Sequence, residues 1–96
     1  MSAYCFFDVL KVSDPEKLTT YVSQVTPTVE KFEGRCVVRG GQFNIIEGNW
    51  QPTFPVLIEF PTLEKAHQWY NSPDYSKLKA LRLSASEANV VFIEGL

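Results

Sequence analysis

The chain reads as an α+β domain with the element order β-α-β-β-α-β, and three features of the sequence carry that reading. Residues 4–12, YCFFDVLKV, and the closing NVVFIEG are rich in aromatic and β-branched types, as strands are. Between residues 18 and 32 the apolar side chains recur at helical spacing. A central stretch, RCVVRGGQFNIIEGNWQPTFPVLIEFP, holds two further strand-like runs on either side of Gly48 and Asn49.

Each element has a local reason. After the first strand, SDPEK starts a helix, because Ser13 or Asp14 can cap free amides and Pro15 suits the first turn. Leu18, Tyr21, Val22, Val25, Val29 and Phe32 make its apolar stripe, and Gly34 ends it. Pro27 lies inside the stripe and predicts a kink or break. The central pair is expected to be a hairpin turning at Gly48 and Asn49, with a bulge at Gly40 and Gly41. TLEKAHQWYNSPDYSKLKALRL is helical in two pieces, Thr62 capping the first and Ser72 and Pro73 dividing them. Two right-handed crossovers joined by a hairpin give a four-stranded antiparallel sheet in the order 4-1-3-2 with the helices on one face, the ferredoxin-like arrangement.

Composition limits the function. Ninety-six residues, 45% hydrophobic, make one domain spanning 1–96. Nine basic and eleven acidic side chains leave a net charge of -2 and no basic run, which argues against a nucleic-acid partner. No apolar span approaches the roughly 20 residues of a membrane helix, and MSAYCFFDVLKVSD has neither a basic start nor a small-residue cleavage site, so no membrane association and a cytoplasmic location are expected. Cys5 and Cys36 lack CxxC spacing and His67 is the single histidine, so neither a metal nor another cofactor is expected. An intervening strand also keeps the two thiols roughly 10 Å apart, too far for a disulfide.

Strand parity then sorts the side chains. Cys5, Phe7 and Val9, Cys36 and Val38, Val56, Ile58 and Phe60, and Val91 and Ile93 form wholly apolar sets suited to lie under the helices. The opposite sets are Tyr4, Phe6, Asp8 and Leu10; Val37 and Arg39; Leu57 and Glu59; and Val90, Phe92 and Glu94. Each mixes one charge with apolar neighbours, and such a face calls for a partner. The same face of a second copy covers it most simply, making a homodimer with an enclosed cavity.

Within that cavity Asp8, Arg39, Glu59 and Glu94 are the candidate catalytic residues. Desolvated carboxyls acquire raised pKa values suited to proton transfer. Arg39 either grips an anionic ligand group through its planar fork or pairs with Glu59 to fix the interface. Tyr4, Phe6, Trp50 and His67 are the candidate ligand-binding residues: the first two line the same face, Trp50 closes the mouth or packs on the second subunit, and His67 sits at the edge of its helix's inner stripe.

FEGRCVVRGG, IIEGNW, VLIEFPTLEKAHQWYNSPDY and VVFIEG together resemble the family called domain of unknown function 1330, in the dimeric α/β-barrel superfamily, over almost the whole chain. The resemblance implies a ferredoxin-like protomer dimerising through its sheet face, and it brings no assigned activity. The wider superfamily includes cofactor-free monooxygenases, muconolactone isomerases, haem-degrading monooxygenases and stress-response proteins. The haem-degrading pattern of Asn, Trp and His is matched here only at His67, since the first strand offers Asp8 and the third has no Trp. Two functions stand at this point. One is a small-molecule-binding homodimer, of cofactor-free isomerase or monooxygenase type, working by acid/base chemistry on a small apolar organic acid or enolisable compound. The other is a non-catalytic binding or stress-associated dimer whose interior charges serve assembly alone.

Overall fold

A computed structural model describes residues 1–96. The chain runs β1 (Ala3–Val12), α1 (Pro15–Lys31), β2 (Arg35–Arg39), β3 (Pro55–Phe60), α2 (Leu63–Tyr70), α3 (Pro73–Ala85) and β4 (Ser86–Glu94). The four strands form one antiparallel sheet in the order β2-β3-β1-β4, the same order read in reverse as that expected from the sequence. The helices cover one face, and this is the α+β, ferredoxin-like architecture.

Local chemistry explains the helix ends. Asp14 caps α1 by accepting from the Lys17 amide, Thr62 caps α2 by accepting from Lys65, and Ser72 caps α3 by accepting from Tyr75. Pro15 and Pro73 occupy first turns, where a missing N–H costs nothing. Helix α1 runs unbroken through Pro27, against the expected kink or break. Buried Val25 and Val29 anchor the turns on both sides of the proline, and packing outweighs the one lost hydrogen bond. The helix gives way at Phe32, and the left-handed residue that follows is Glu33, at φ 66°, rather than Gly34. Gly34 is needed for closeness instead: a Cβ there would stand 2.5 Å from the Phe60 ring and 2.8 Å from Val29.

The core gathers between the sheet and the helices. Cys5, Phe60, Trp69 and Tyr75 are its largest fully buried side chains. The Trp69 ring lies 5.4 Å from Phe60 and 4.2 Å from Tyr75, and its Nε1 donates to Thr28 Oγ1 at 3.0 Å, so the one polar atom of a large apolar ring is satisfied.

Two parts of the sheet depart from the sequence reading. Residues 40–54 form a long irregular connection rather than a tight hairpin at Gly48 and Asn49. Asp8, 2% exposed, holds that connection by accepting from the amides of Thr53 (2.8 Å) and Phe54 (2.9 Å) through one carboxylate oxygen. In β4 the two faces are exchanged: Cys5 pairs with Phe92 and Phe7 with Val90, so Val90 and Phe92 pack on the core. Val91 and Ile93, expected under the helices, are 55% and 60% exposed on the open face. Both parities of β4 are apolar, and Phe92 is selected for the inside by its contacts with Tyr70 and His67.

Candidate functional site: a cavity between the first helix and the sheet

The site begins with an irregularity in β2. Cys36 pairs with Ile58 and Val38 with Leu57, so Val37 is an extra residue in the ladder. The bulge therefore falls at Val37, not at Gly40 and Gly41. An inserted residue reverses the side-chain alternation beyond it. Val38 consequently turns to the open face, and Arg39, beside Val56, turns to the α1 side, where it stays exposed and its Nη2 donates to Thr26 Oγ1 at 3.3 Å.

Helix α1 is held at a distance from the central strands. Its Tyr21 hydroxyl bonds to Tyr75 of α3, its Lys31 pairs with Asp74 of α3, and Thr26 receives Arg39 from β2. The space left between α1 and the sheet is a cavity of about 450 Å³. Phe7, Val25, Val29, Phe54, Val56 and Ile58 give it a largely apolar wall, to which Arg39, Lys11 and Arg82 add cationic groups. That volume and an apolar lining with a few polar groups fall within the range in which proteins hold small molecules.

Arg82 is the unusual component. It is 3% exposed, its guanidinium carbon lies 5.5 Å from the centre of the Phe7 ring, and its Nε donates to the Tyr75 hydroxyl at 3.4 Å. No carboxylate pairs with it: the ion pairs of the chain are Lys31 with Asp74, Arg35 with Glu59 and Lys65 with Glu33. A cation taken out of water normally demands a counter-charge. Beside it, burial and the neighbouring Tyr75 push the pKa of Tyr21 up, and burial does the same to Tyr75. Both hydroxyls are therefore protonated at neutral pH. Cys5 is also inert, since burial pushes its thiol up to about 12. No three His, Cys, Asp or Glu side chains converge in a group able to hold a metal.

Of the eight candidates named from the sequence, Arg39 alone lines this cavity. It does so from the helix side of the sheet, not from the open face where it was expected. Asp8 is engaged with the loop amides. Glu59 stays on the open face, where Arg35 Nε donates to it at 2.8 Å and the Tyr4 hydroxyl at 3.2 Å. The Arg35 hydrogen bond, with help from Tyr4, holds the Glu59 carboxyl below its ordinary value, opposite to the expected rise. Its partner is Arg35 rather than Arg39. Glu94 pairs in register with Ala3, on the side of the core, and is exposed, so it does not meet Glu59. Trp50 folds back over the open face to within 5.8 Å of Phe6 while remaining 66% exposed. His67 is exposed on α2, its ring 5.2 Å from Phe92.

Tyr21, Tyr75 and Arg82 were not singled out as site residues by sequence reasoning. A signal for them is nonetheless present. Tyr75, Leu78, Arg82 and Ala85 follow one another at helical spacing along the buried stripe of α3, and an arginine in such a stripe is a charge directed inward.

The family model for domain of unknown function 1330 matches residues 2–96. The chain belongs to this family. Among solved structures, this DUF1330 chain is similar to a protein of unknown function from Rhodopseudomonas palustris, with a TM-score of 0.76 at 16% identity, covering 99% of this chain and 82% of that one. A second is a dimeric protein of unknown function with a ferredoxin-like fold from Bacteroides fragilis, at a TM-score of 0.58 and 14% identity, covering 98% and 96%. A third is SnoaB, a cofactor-independent oxygenase from Streptomyces nogalater, at a TM-score of 0.60 and 9% identity, covering 99% and 91%. No curated protein matches the DUF1330 chain. At these identities the likeness establishes the shared fold.

Proposed function

We propose that this protein is a homodimeric small-molecule-binding barrel whose ligand, a small and largely apolar organic compound with an acidic or enolisable group, occupies the cavity between α1 and the sheet. The observation that carries this reading is Arg82, a buried cation without a carboxylate partner on the wall of an otherwise apolar space. An organic anion supplies the missing counter-charge, and Arg39 at the α1 side adds a second favourable charge. The site would suit a cofactor-free enzyme as well as a carrier, and the fold shared with SnoaB is compatible with the first. Acid/base chemistry by Asp8, Glu59 and Glu94 has no support from the cavity, whose lining contains none of them.

Dimerisation is proposed through the open sheet face. Leu57, Val91 and Ile93 on that face would be covered by a second copy, and the neighbour of like fold from Bacteroides fragilis is dimeric. Val91→Asp is expected to convert a dimer to a monomer in sedimentation velocity. A monomeric parent would remove this part of the reading.

Calorimetric titration with benzoate and with para-nitrophenol tests the site. Saturable binding by the parent, weakened about tenfold or more in Arg82→Met, is the expected result. If the parent bound neither compound and carried no retained small molecule in native mass spectrometry, the cavity would lose its assignment.

A further inference from the structure

The hydrogen-bond chain at the base of α1 has a direction, and that direction points at the cavity. Arg82 Nε can only donate, so the Tyr75 oxygen accepts from it. Tyr75 is fully buried, and its own proton needs an acceptor; the group within reach is the Tyr21 oxygen at 2.9 Å. Tyr21 must then accept from Tyr75, and its proton cannot return along the same line. Tyr21 makes no other side-chain hydrogen bond, and it lines the cavity whereas Tyr75 does not. The order of donation is therefore Arg82 to Tyr75 to Tyr21, with the Tyr21 O–H left over for whatever occupies the cavity.

Resting on the reading of the cavity as a ligand site, we propose that Tyr21 is the hydrogen-bond donor to the ligand, and that the ligand presents it with a single charged oxygen, a phenolate or an enolate. Several features favour that class over a carboxylate. Tyr21 offers one proton rather than a fork, and the Nε corner of the Arg82 fork is already engaged by Tyr75. The surrounding wall is largely apolar, so an anion that spreads its charge over a conjugated frame loses less on leaving water than a compact carboxylate. A donor fixed in place and polarised by a cation two groups away stabilises the oxyanion over its protonated form, which lowers the ligand's pKa on binding. Both tyrosine hydroxyls stay protonated at neutral pH, as a donor chain requires. Tyr21 touches the ligand; Tyr75 and Arg82 position and polarise it.

The test uses para-nitrophenol, whose phenolate absorbs visible light and whose phenol does not, with para-nitroanisole as a partner of similar shape lacking the ionisable group. In the parent, the bound phenol is expected to ionise at lower pH than the free compound. Tyr21→Phe, which keeps the ring and its packing, is expected to weaken nitrophenol binding about tenfold and move the bound pKa back up by about one unit, leaving nitroanisole binding unchanged. Tyr75→Phe should move both quantities the same way but less, because the Tyr21 hydroxyl remains. Unchanged affinity and unchanged bound pKa in Tyr21→Phe would overturn the assignment of Tyr21 while leaving the cavity's role intact. Equal weakening of the two compounds would also overturn it, by showing a packing effect alone. A parent that bound neither compound would remove the ligand site and this inference together.

Discussion

The two faces of the sheet handle charge in opposite ways. On the open face, Arg35 and Glu59 stand opposite each other in register, form an ion pair at 2.8 Å and remain partly in water. On the helix face, Arg82 is almost completely buried, without a carboxylate, beside an apolar cavity. A paired, solvated charge is inexpensive and contributes little either way. A buried and unpaired one is retained against its desolvation cost, which is why the proposed site is drawn around Arg82. Asp8 and Glu59 on the strands hold the loop and the sheet together, whereas the charge proposed to meet a ligand rides on a helix.

This contrast can be broken by substitution. The largest loss is expected from Trp69→Ala in the helix-side core, where removing a fully buried indole should cost about 3–5 kcal/mol in chemical denaturation. A change below 1 kcal/mol would mean that the core is not organised around this ring. Next, Asp8→Ala should cost about 1–3 kcal/mol, because the Thr53 and Phe54 amides lose their common acceptor. Because Phe54 belongs to the cavity wall, the same variant should weaken para-nitrophenol and para-nitroanisole binding alike; a selective loss of para-nitrophenol binding would return Asp8 to the site. A smaller and opposite effect is expected at Arg82, where Met replaces an unpaired buried charge with a shorter, uncharged and flexible side chain. Arg82→Met should leave the unfolding free energy unchanged or raise it by about 1 kcal/mol while weakening anion binding about tenfold or more. Arg35→Met should do the reverse, with a slight loss of stability and full binding.

The smallest effect concerns pH. Hydrogen bonds from Arg35 and Tyr4 hold the folded pKa of Glu59 below the ordinary 4.5. Its stabilising contribution is therefore complete above that value and disappears as the pH falls through the lower folded value. Stability measured from pH 6 downward should decline more steeply in the parent than in Glu59→Gln. Parallel curves would mean that solvent screens the pair completely.

Particular residues explain how much of this was legible beforehand. Caps at Asp14, Thr62 and Ser72 and the stripe of α1 are local features, and the elements follow from them. In β1 and β3 one parity ends in Cys5, Phe7, Ile58 and Phe60, all buried, and the other in groups that stay nearer to water except Asp8, which the 40–54 connection covers. Those faces were readable because the two parities differ. In β4 they do not, since Val90 and Phe92 compete with Val91 and Ile93 on nearly equal terms, and packing against α2 decides. For Arg39 the obstacle was the bulge at Val37, which leaves no mark in a run of two valines and yet reverses the side chain three residues after Cys36. The Tyr21, Tyr75 and Arg82 chain joins positions 54 and 7 residues apart, and no spacing along the sequence announces a contact of the longer kind.

By itself, then, the sequence determined the element order, the sheet order, where the helices start and the apolar core of the first and third strands, because propensity, periodicity and crossover handedness act within or between neighbouring segments. Tertiary structure alone decided which way Arg39 points, which side of β4 lies inside, and that α1 stands away from the sheet far enough to leave a cavity with Arg82 on its wall. Those outcomes depend on single-residue register and on how far two packed surfaces approach, and both are set by the sum of distant contacts rather than by any local signal.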